Sequence, residues 1–257
     1  MLIPTIFSTF PECIPEKGIL HIGAHMCEER ALYNSINIGD NDILWIEAIG
    51  EIVAYVKKIN ENINIVQAVI TDKDDEELSF MITNNKESSS IFNFGTHAIE
   101  HPHVFEIERR RLKSITLNTL FERNNIPHNR YDFINIDIQG AELKALKGAV
   151  HILPHIKAIY AEVNEKMLYE GAGLLPELDE YLATFNFKRV ITNMTQHGWG
   201  DALYIKNYII PAVINMNDID TTDLANEAED TLTILSKYVG NLETNVDKKW
   251  DFYKAIY

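Results

Sequence analysis

Short, unbroken apolar runs alternating with helical patterns constrain this chain more than any other feature. The runs lie at 19–23, 42–47, 63–70, 131–138 and 156–163. Each is strand-length, and none shows the polar alternation of a half-exposed strand. Between the second and third, Ile52, Val53, Val56 and Ile59 recur at the spacing of one helix face. Continuous apolar strands separated by helices of about 10–15 residues predict a parallel sheet covered on both faces. That is an α/β fold.

Two regions break the alternation. Residues 76–83 follow the polar turn 71–75 and read as a strand of a small β insertion, with 114–120 as a second strand. Near the end, 187–194 and 201–205 flank the Gly-containing turn 196–200, which predicts a hairpin. The last strand is therefore expected to run antiparallel to an otherwise parallel sheet. Beyond it, Leu224, Ala228, Leu232, Leu235 and Val239 form an apolar stripe at helical spacing, stopped by Gly240. The organisation read from this is an N-terminal extension (1–18), a catalytic domain (19–206) and a tail (207–257) with one amphipathic helix. That helix is expected to pack on the domain or on a sister subunit.

Composition narrows the class of partner. The 257 residues carry 23 Lys plus Arg against 38 Asp plus Glu, a net charge of −15, which disfavours nucleic acid and anionic membrane. No run of about 18 apolar residues is present to span a bilayer. The N-terminus lacks a basic leader pattern, and two cysteines, Cys13 and Cys27, make no disulfide framework. A soluble, cytoplasmic protein is the expectation.

Chemistry is expected at the carboxyl ends of the strands, where α/β sheets hold ligands. The first run opens into the tight turn HIGAHMC (21–27), whose Gly23 and Ala24 let a ligand approach the backbone. Glu47, 24 residues after Gly23, sits where an acid can accept hydrogen bonds from ribose hydroxyls. A pyrophosphate-binding loop needs three glycines, whereas here His25 and Glu28 stand at the second and third positions. Acids at 28 and 29 oppose a pyrophosphate but not a sulfonium and an ammonium. The loop thus favours S-adenosylmethionine (SAM) over NAD. Further along, Asp137 ends an apolar strand, Gly140 makes a turn, and a helix with Leu143, Leu146 and Val150 packs back.

These segments resemble the FkbM-type family of class I SAM-dependent methyltransferases. The resemblance rests on ILHIGAH (19–25) with Glu29 and Tyr33, WIE (45–47), QAVITD (67–72) and ESSS (87–90). It continues through TLNTL (116–120), DIQGAE (137–142), EVN (162–164) and WGD (199–201), and so spans roughly 18–206. It implies a Rossmann-like sheet of seven strands and methyl transfer from SAM to a hydroxyl, commonly on a saccharide or secondary metabolite. On this basis Gly23, Ala24, His25, Glu29, Glu47, Ala68 and Val69 are expected to hold SAM. Asp137, Glu162, Asn164 and Glu142 are expected at the acceptor, with Asp137 the candidate base. The family usually has Asp at position 21, Gly at 27 and Asp at 118; this chain has His21, Cys27 and Asn118.

Asp137, Glu162 and Asn164 form an oxygen set of the kind Mg²⁺ prefers, but a metal-free site is preferred here, because carboxylates can bind sugar hydroxyls directly. His101 and His103 resemble a metal pair without an evident third ligand and read as a surface loop. His197, in the hairpin turn, is a weaker candidate for acceptor contact. Arg109, Arg110, Arg111 and Lys113 are the one basic cluster, a solvated face or a seat for an anionic acceptor. Two other functions compete: an NAD-linked oxidoreductase, and a catalytically silent SAM-fold binding module. A small-molecule or glycan acceptor is the expected partner, with homo-oligomerisation through the tail helix.

Overall fold

All five apolar runs contribute strands that pair side by side in parallel. In the computed structural model the described residues are 3–207, with side chains from residue 6 onward. The chain divides into the units Met1–Ile210 and Pro211–Tyr257, and the helix expected at 224–239 lies outside the described residues. The main sheet contains β1 (Ile19–Ile22), β2 (Ile43–Glu47), β3 (Ile65–Gln67), β7 (Phe133–Ile136), β8 (Ala158–Asn164), β9 (Phe187–Met194) and β10 (Trp199–Lys206). Their order is β3-β2-β1-β7-β8-β10-β9, and β10 runs antiparallel between β8 and β9. The expected α/β sheet with its last strand reversed is thus present.

Both faces are covered, as continuous apolar strands require. On one face Leu20, Ile22, Leu44, Ile46, Ile134, Ile136, Ile159 and Ala161 form a single core with α5 (Leu117–Arg123), α6 (Glu142–Lys147) and α7 (Leu175–Ala183). On the other, α1 (Ile3–Thr9) sets Phe7 edge-on to Phe133, with ring centroids 5.4 Å apart. There α2 (Arg30–Ser35) buries Tyr33 beside His21 and Trp45. The N-terminal extension is therefore packed on the sheet. Its return is fixed by Asp132, whose carboxylate accepts from the N–H groups of Glu16, Lys17 and Gly18 at 3.0–3.3 Å.

Two readings are corrected. The run 63–70 is two strands, because after β3 the Ala68 N–H donates back to Glu47 O (3.0 Å) and the chain leaves the main sheet. Val69–Ile70 then becomes β4 of a small sheet with β5 (Glu77–Thr83) and β6 (Glu106–Ile115), in the order β4-β6-β5. The strand expected at 114–120 ends at Ile115, and Thr116 starts α5 instead. Its Oγ1 accepts from the Thr119 N–H (3.1 Å), an N-cap that outweighs the β-branched composition. The remaining helices are α3 (Gly50–Ile59), with Ile52, Val53 and Val56 buried as their spacing predicts but Ile59, at its last turn, 53% exposed, and the single-turn α4 (His97–Glu100). None of the described helices is long and apolar enough to cross a membrane.

Strand periodicity places the chemistry. Side chains two residues apart share a face, and the β1–β2, β1–β7 and β7–β8 registers align His21 with Trp45 and Asn135, and Asn135 with Tyr160. This buried row is followed, two residues further on, by Glu47, Gly23, Asp137 and Glu162, with Asp201 paired to Glu162. Four acids thus line the carboxyl edge of the sheet, with a glycine among them.

Candidate active site

The cleft lies over the ends of β1, β2 and β7 and encloses about 590 Å³, its open mouth included. Its floor begins at Gly23 (φ +90°), where a Cβ would fall 1.7 Å from the Asp137 carbonyl oxygen. Only glycine permits strands this close at that point. The N–H groups of Gly23 and Ala24 both donate to Ile46 O (2.9 Å each), folding the loop sharply over β2.

Glu47 is pinned by this loop. Its Oε2 accepts from the His25 N–H and its Oε1 from the Ile49 N–H, each at 2.8 Å, and the residue is 8% exposed. Burial raises its pKa, against those hydrogen bonds and the nearby His25. Each oxygen keeps a further lone pair for a ligand hydroxyl. Ala68, Val69, Ile70, Phe80 and Ile91 give the cleft an apolar wall. An acid with fixed geometry beside such a wall fits the ribose and adenine of SAM. No glycine-lined phosphate seat accompanies it: His25 lies within hydrogen-bonding distance of Glu28 (2.9 Å) and 4.0 Å from Glu87. Burial would lower the His25 pKa, but the Glu28 hydrogen bond and the charges of Glu28, Glu87 and Glu47 raise it.

Of the seven residues expected at SAM, Gly23, His25, Glu47, Ala68 and Val69 line the cleft. Ala24 and Glu29 are not brought to it. Ala24 is 1% exposed beneath the loop, and Glu29 turns toward His21, 3.9 Å from its Nε2. Burial pushes the Glu29 carboxyl up to about 7. Beneath it, Asn135 Nδ2 donates to Tyr33 Oη (2.8 Å), which leaves the tyrosine proton for His21 Nδ1 at 3.0 Å. Burial lowers the His21 pKa to about 4, so the family's usual aspartate is replaced by a neutral ring. Cys27 holds φ +58°, a left-handed backbone that glycine adopts without strain.

The other half of the site is a knot of carboxyl groups. One carboxylate oxygen from each of Asp137, Glu142 and Glu162 lies within 4.8 Å of the other two. Asp137 is walled in by protein, yet its carboxylate is open to the cleft. Glu142 and Glu162 are 3% and 8% exposed. Gln139 bridges the pair: its Nε2 donates to Asp137 Oδ1 (2.7 Å) and to Glu162 Oε2 (3.0 Å). Its own amide is aimed by Tyr169, whose hydroxyl donates to Gln139 Oε1 (2.5 Å), while Ser90 Oγ donates to its backbone carbonyl (2.8 Å). Sequence reasoning missed Gln139, although it lies inside the DIQGAE motif; the ESSS motif that secures it was recognised but given no role.

The pKa values of all three carboxyls are raised, burial being the largest cause for each. Burial, followed by Asp137 and Glu142, lifts the Glu162 pKa well above the carboxylate range. Burial also raises Asp137, helped by Asp201 and Glu29 and opposed by Gln139. A hydrogen bond between Asp137 and Glu162 lowers the Asp137 pKa and raises that of Glu162, the direction that favours holding a shared proton on Glu162. Glu142 has a different task. Its Oε1 accepts from the N–H groups of Ile138 (2.8 Å) and Gly140 (3.2 Å), so it fixes the turn after β7 rather than facing an acceptor. Asn164 is 1% exposed at the end of β8, and neither end of its amide has a hydrogen-bond partner among the described residues. An unsatisfied buried amide costs about 1–3 kcal/mol per polar group, which marks Asn164 as a ligand-seeking group.

The remaining candidates settle differently. Arg109 is paired with Glu106 and Asn93, and Arg110 with Glu108 and Glu51, so half of the basic cluster is already neutralised. His197 lies 2.6 Å from Glu100, and its ring is 5.2 Å from that of His101, which in turn is 6.1 Å from His103. Phe92, Phe94 and Trp199 pack against Leu168 and Tyr169, an aromatic cluster beside Gln139.

Comparisons with known proteins follow the same lines. No curated protein matches the sequence. Among solved structures, magnesium protoporphyrin IX methyltransferase from Synechocystis PCC 6803, determined with bound SAM, is 8% identical, covering 79% of this chain and 76% of that one at a TM-score of 0.42. TrmK of M. capricolum, in complex with S-adenosyl-homocysteine, is 11% identical over 100% of this chain and 99% of that one, at a TM-score of 0.35. Both scores are low, and neither likeness carries weight for fold or ligand. The family comparison does: the Methyltransferase FkbM domain matches residues 21–190. That match spans the glycine turn, Glu47 and the whole carboxyl knot, about two thirds of the chain, and the chain belongs to the FkbM methyltransferase domain family.

Proposed function

We propose that the protein is a SAM-dependent O-methyltransferase acting on a hydroxyl of a saccharide or similar polyol. The observation that carries this reading is the row of Glu47, Gly23, Asp137 and Glu162 across four adjacent strand ends. It offers a ribose acceptor on one side of a bare backbone and a proton acceptor on the other. When bound, SAM supplies a methyl group on a sulfonium that is already activated for transfer. The protein's work is therefore alignment and proton removal.

Glu47, held by two backbone N–H groups, would hold the ribose, and the apolar wall that includes Phe80 and Ile91 would receive the adenine. Asp137 would take the proton from the acceptor hydroxyl that receives the methyl group. Glu162, protonated, donates to Asp137 and keeps the charge of the pair at one. Gln139 holds both carboxyls at fixed distance, and Asn164 supplies a donor and an acceptor for neighbouring hydroxyls. Several carboxyls beside Phe94, Tyr169 and Trp199 suit a molecule with both hydroxyls and apolar C–H faces.

The reaction is proposed to be metal-free. The Gln139 N–H projects into the carboxyl knot, and a cation centre is poorly served by a donor in that place. Transfer of label from methyl-labelled SAM to a saccharide panel, with and without EDTA, tests the reading. O-methylated sugar formed equally in both arms is the expected result. Activity lost to EDTA and restored by Mg²⁺ contradicts the metal-free site, and transfer only to amines, thiols or nucleic acid contradicts the O-methyltransferase.

A further inference from the structure

A second group of ligating side chains lies at the opposite edge of the sheet. Glu122 is in the last turn of α5, His128 is in the segment leading to β7, and His151 follows α6 on the way to β8. These segments feed the amino ends of β7 and β8, whereas the cleft sits at the carboxyl ends. One ligating atom from each of the three side chains lies within 4.8 Å of the other two. The two imidazoles are 5.4 Å apart, centroid to centroid, and inclined at 56°.

The arrangement is held in place from behind. Phe121 stacks on His128 (6.4 Å, 19°), and Asn118 Oδ1 accepts from the His151 N–H (3.1 Å). Asn118 is a position where the family usually has Asp. His128 Nε2 is buried, with no hydrogen-bond partner among the described residues. A buried imidazole nitrogen left unpaired is costly unless something binds it.

We propose that Glu122, His128 and His151 bind one transition-metal ion of the zinc type. Two imidazoles and one carboxylate are a donor set of intermediate softness, suited to Zn²⁺ and poorly suited to Mg²⁺ or Ca²⁺. Metal–ligand bonds of about 2.0–2.2 Å place tetrahedral donors roughly 3.4 Å apart. Glu122 and His151 are exposed, so small side-chain rotations close the present gaps. Bound metal would tie the end of α5 to the turn after α6, a staple remote from methyl transfer, with a fourth position left to water.

The test is calorimetric titration of ZnCl₂ into untagged full-length protein, first stripped with chelator and dialysed. The expected result is one high-affinity zinc per chain, with Mg²⁺ giving no competition. His128→Gln/His151→Gln should weaken that binding at least about tenfold, the scale of disrupting a metal site's ligand shell. Glu122→Gln, at an exposed helix position, should weaken it while leaving the far-UV circular dichroism unchanged. His101→Ala/His103→Ala should leave it intact. Co²⁺ should give visible d–d absorption in the wild type that the His128/His151 double variant lacks. Absence of zinc binding in the wild type, or loss of binding only in the His101/His103 variant, overturns the proposal.

Discussion

The two halves of the cleft use the same residue type in opposite ways. At the β1–β2 end, Glu47 stands apart from other carboxyls, and both its oxygens meet backbone N–H groups. At the β7–β8 end, three carboxyls crowd within 4.8 Å, and Asp137 and Glu162 share a single side-chain amide. Backbone donors fix an acid in one geometry, which suits recognition. Crowding instead makes each carboxyl's proton depend on its neighbours, which suits proton transfer. The difference predicts that substitutions in the two halves separate binding from turnover.

The largest effect is expected at Asp137. Asp137→Asn keeps the size and removes the base, so kcat should fall about 10²-fold or more with SAM affinity nearly intact. The wild-type rate should rise with pH through a group titrating above the ordinary Asp range, since burial and Asp201 raise the Asp137 pKa. That limb should vanish in the variant. A full-strength variant, or one that loses SAM affinity instead, breaks the comparison. Next in size is Glu47→Ala, which should weaken SAM binding by about 2–3 kcal/mol, the scale of charge-assisted hydrogen bonds, while leaving the rate at saturation much less affected.

Glu142 sharpens the comparison through stability. Burial, with a contribution from Asp137, raises its pKa to about 7 from an unfolded value of 4.5. For an acid raised in this way the favourable protonated form is fully present below pH 4.5. Its contribution is lost as pH rises through 7. Glu142→Gln preserves an oxygen for the Ile138 and Gly140 N–H groups and removes the charge. It should therefore be near neutral at pH 4.5 and stabilise by about 1–3 kcal/mol at pH 8, read by denaturant unfolding. The opposite pH trend would mean that the fold favours the Glu142 carboxylate over its protonated form. The smallest effect is expected from Arg109→Ala/Arg110→Ala. Exposed ion pairs contribute about 0–1 kcal/mol each, so stability should change little and the KM for a neutral saccharide should stay within about twofold. A tenfold rise in KM for an anionic saccharide would mean that such an acceptor reaches β6.

Gly23, Glu47 and Asp137 were legible because strand ends and turn glycines leave a local mark in sequence. The sheet was legible for the same reason: each buried strand is a continuous apolar run. What failed depended on distance in space. Gln139 sits in a left-handed backbone (φ +56°), and its role arises from Tyr169, thirty residues away. Glu142 looks like a second acid until the turn at 138–140 folds onto it. The 63–70 run divides because its second half finds a better partner in β6, and Arg110 is neutralised by Glu51 on α3. His128 and His151 drew no notice because nothing in their spacing shows that α5 and α6 bring them together.

The central claim, that this cleft holds a phosphate-free adenosyl cofactor, is tested most directly by calorimetric titration with SAM, S-adenosylhomocysteine and NADH side by side. SAM and S-adenosylhomocysteine should each bind once per chain, and NADH should give no binding heat. NADH binding as tightly as SAM, or no binding of SAM by folded protein, would contradict it.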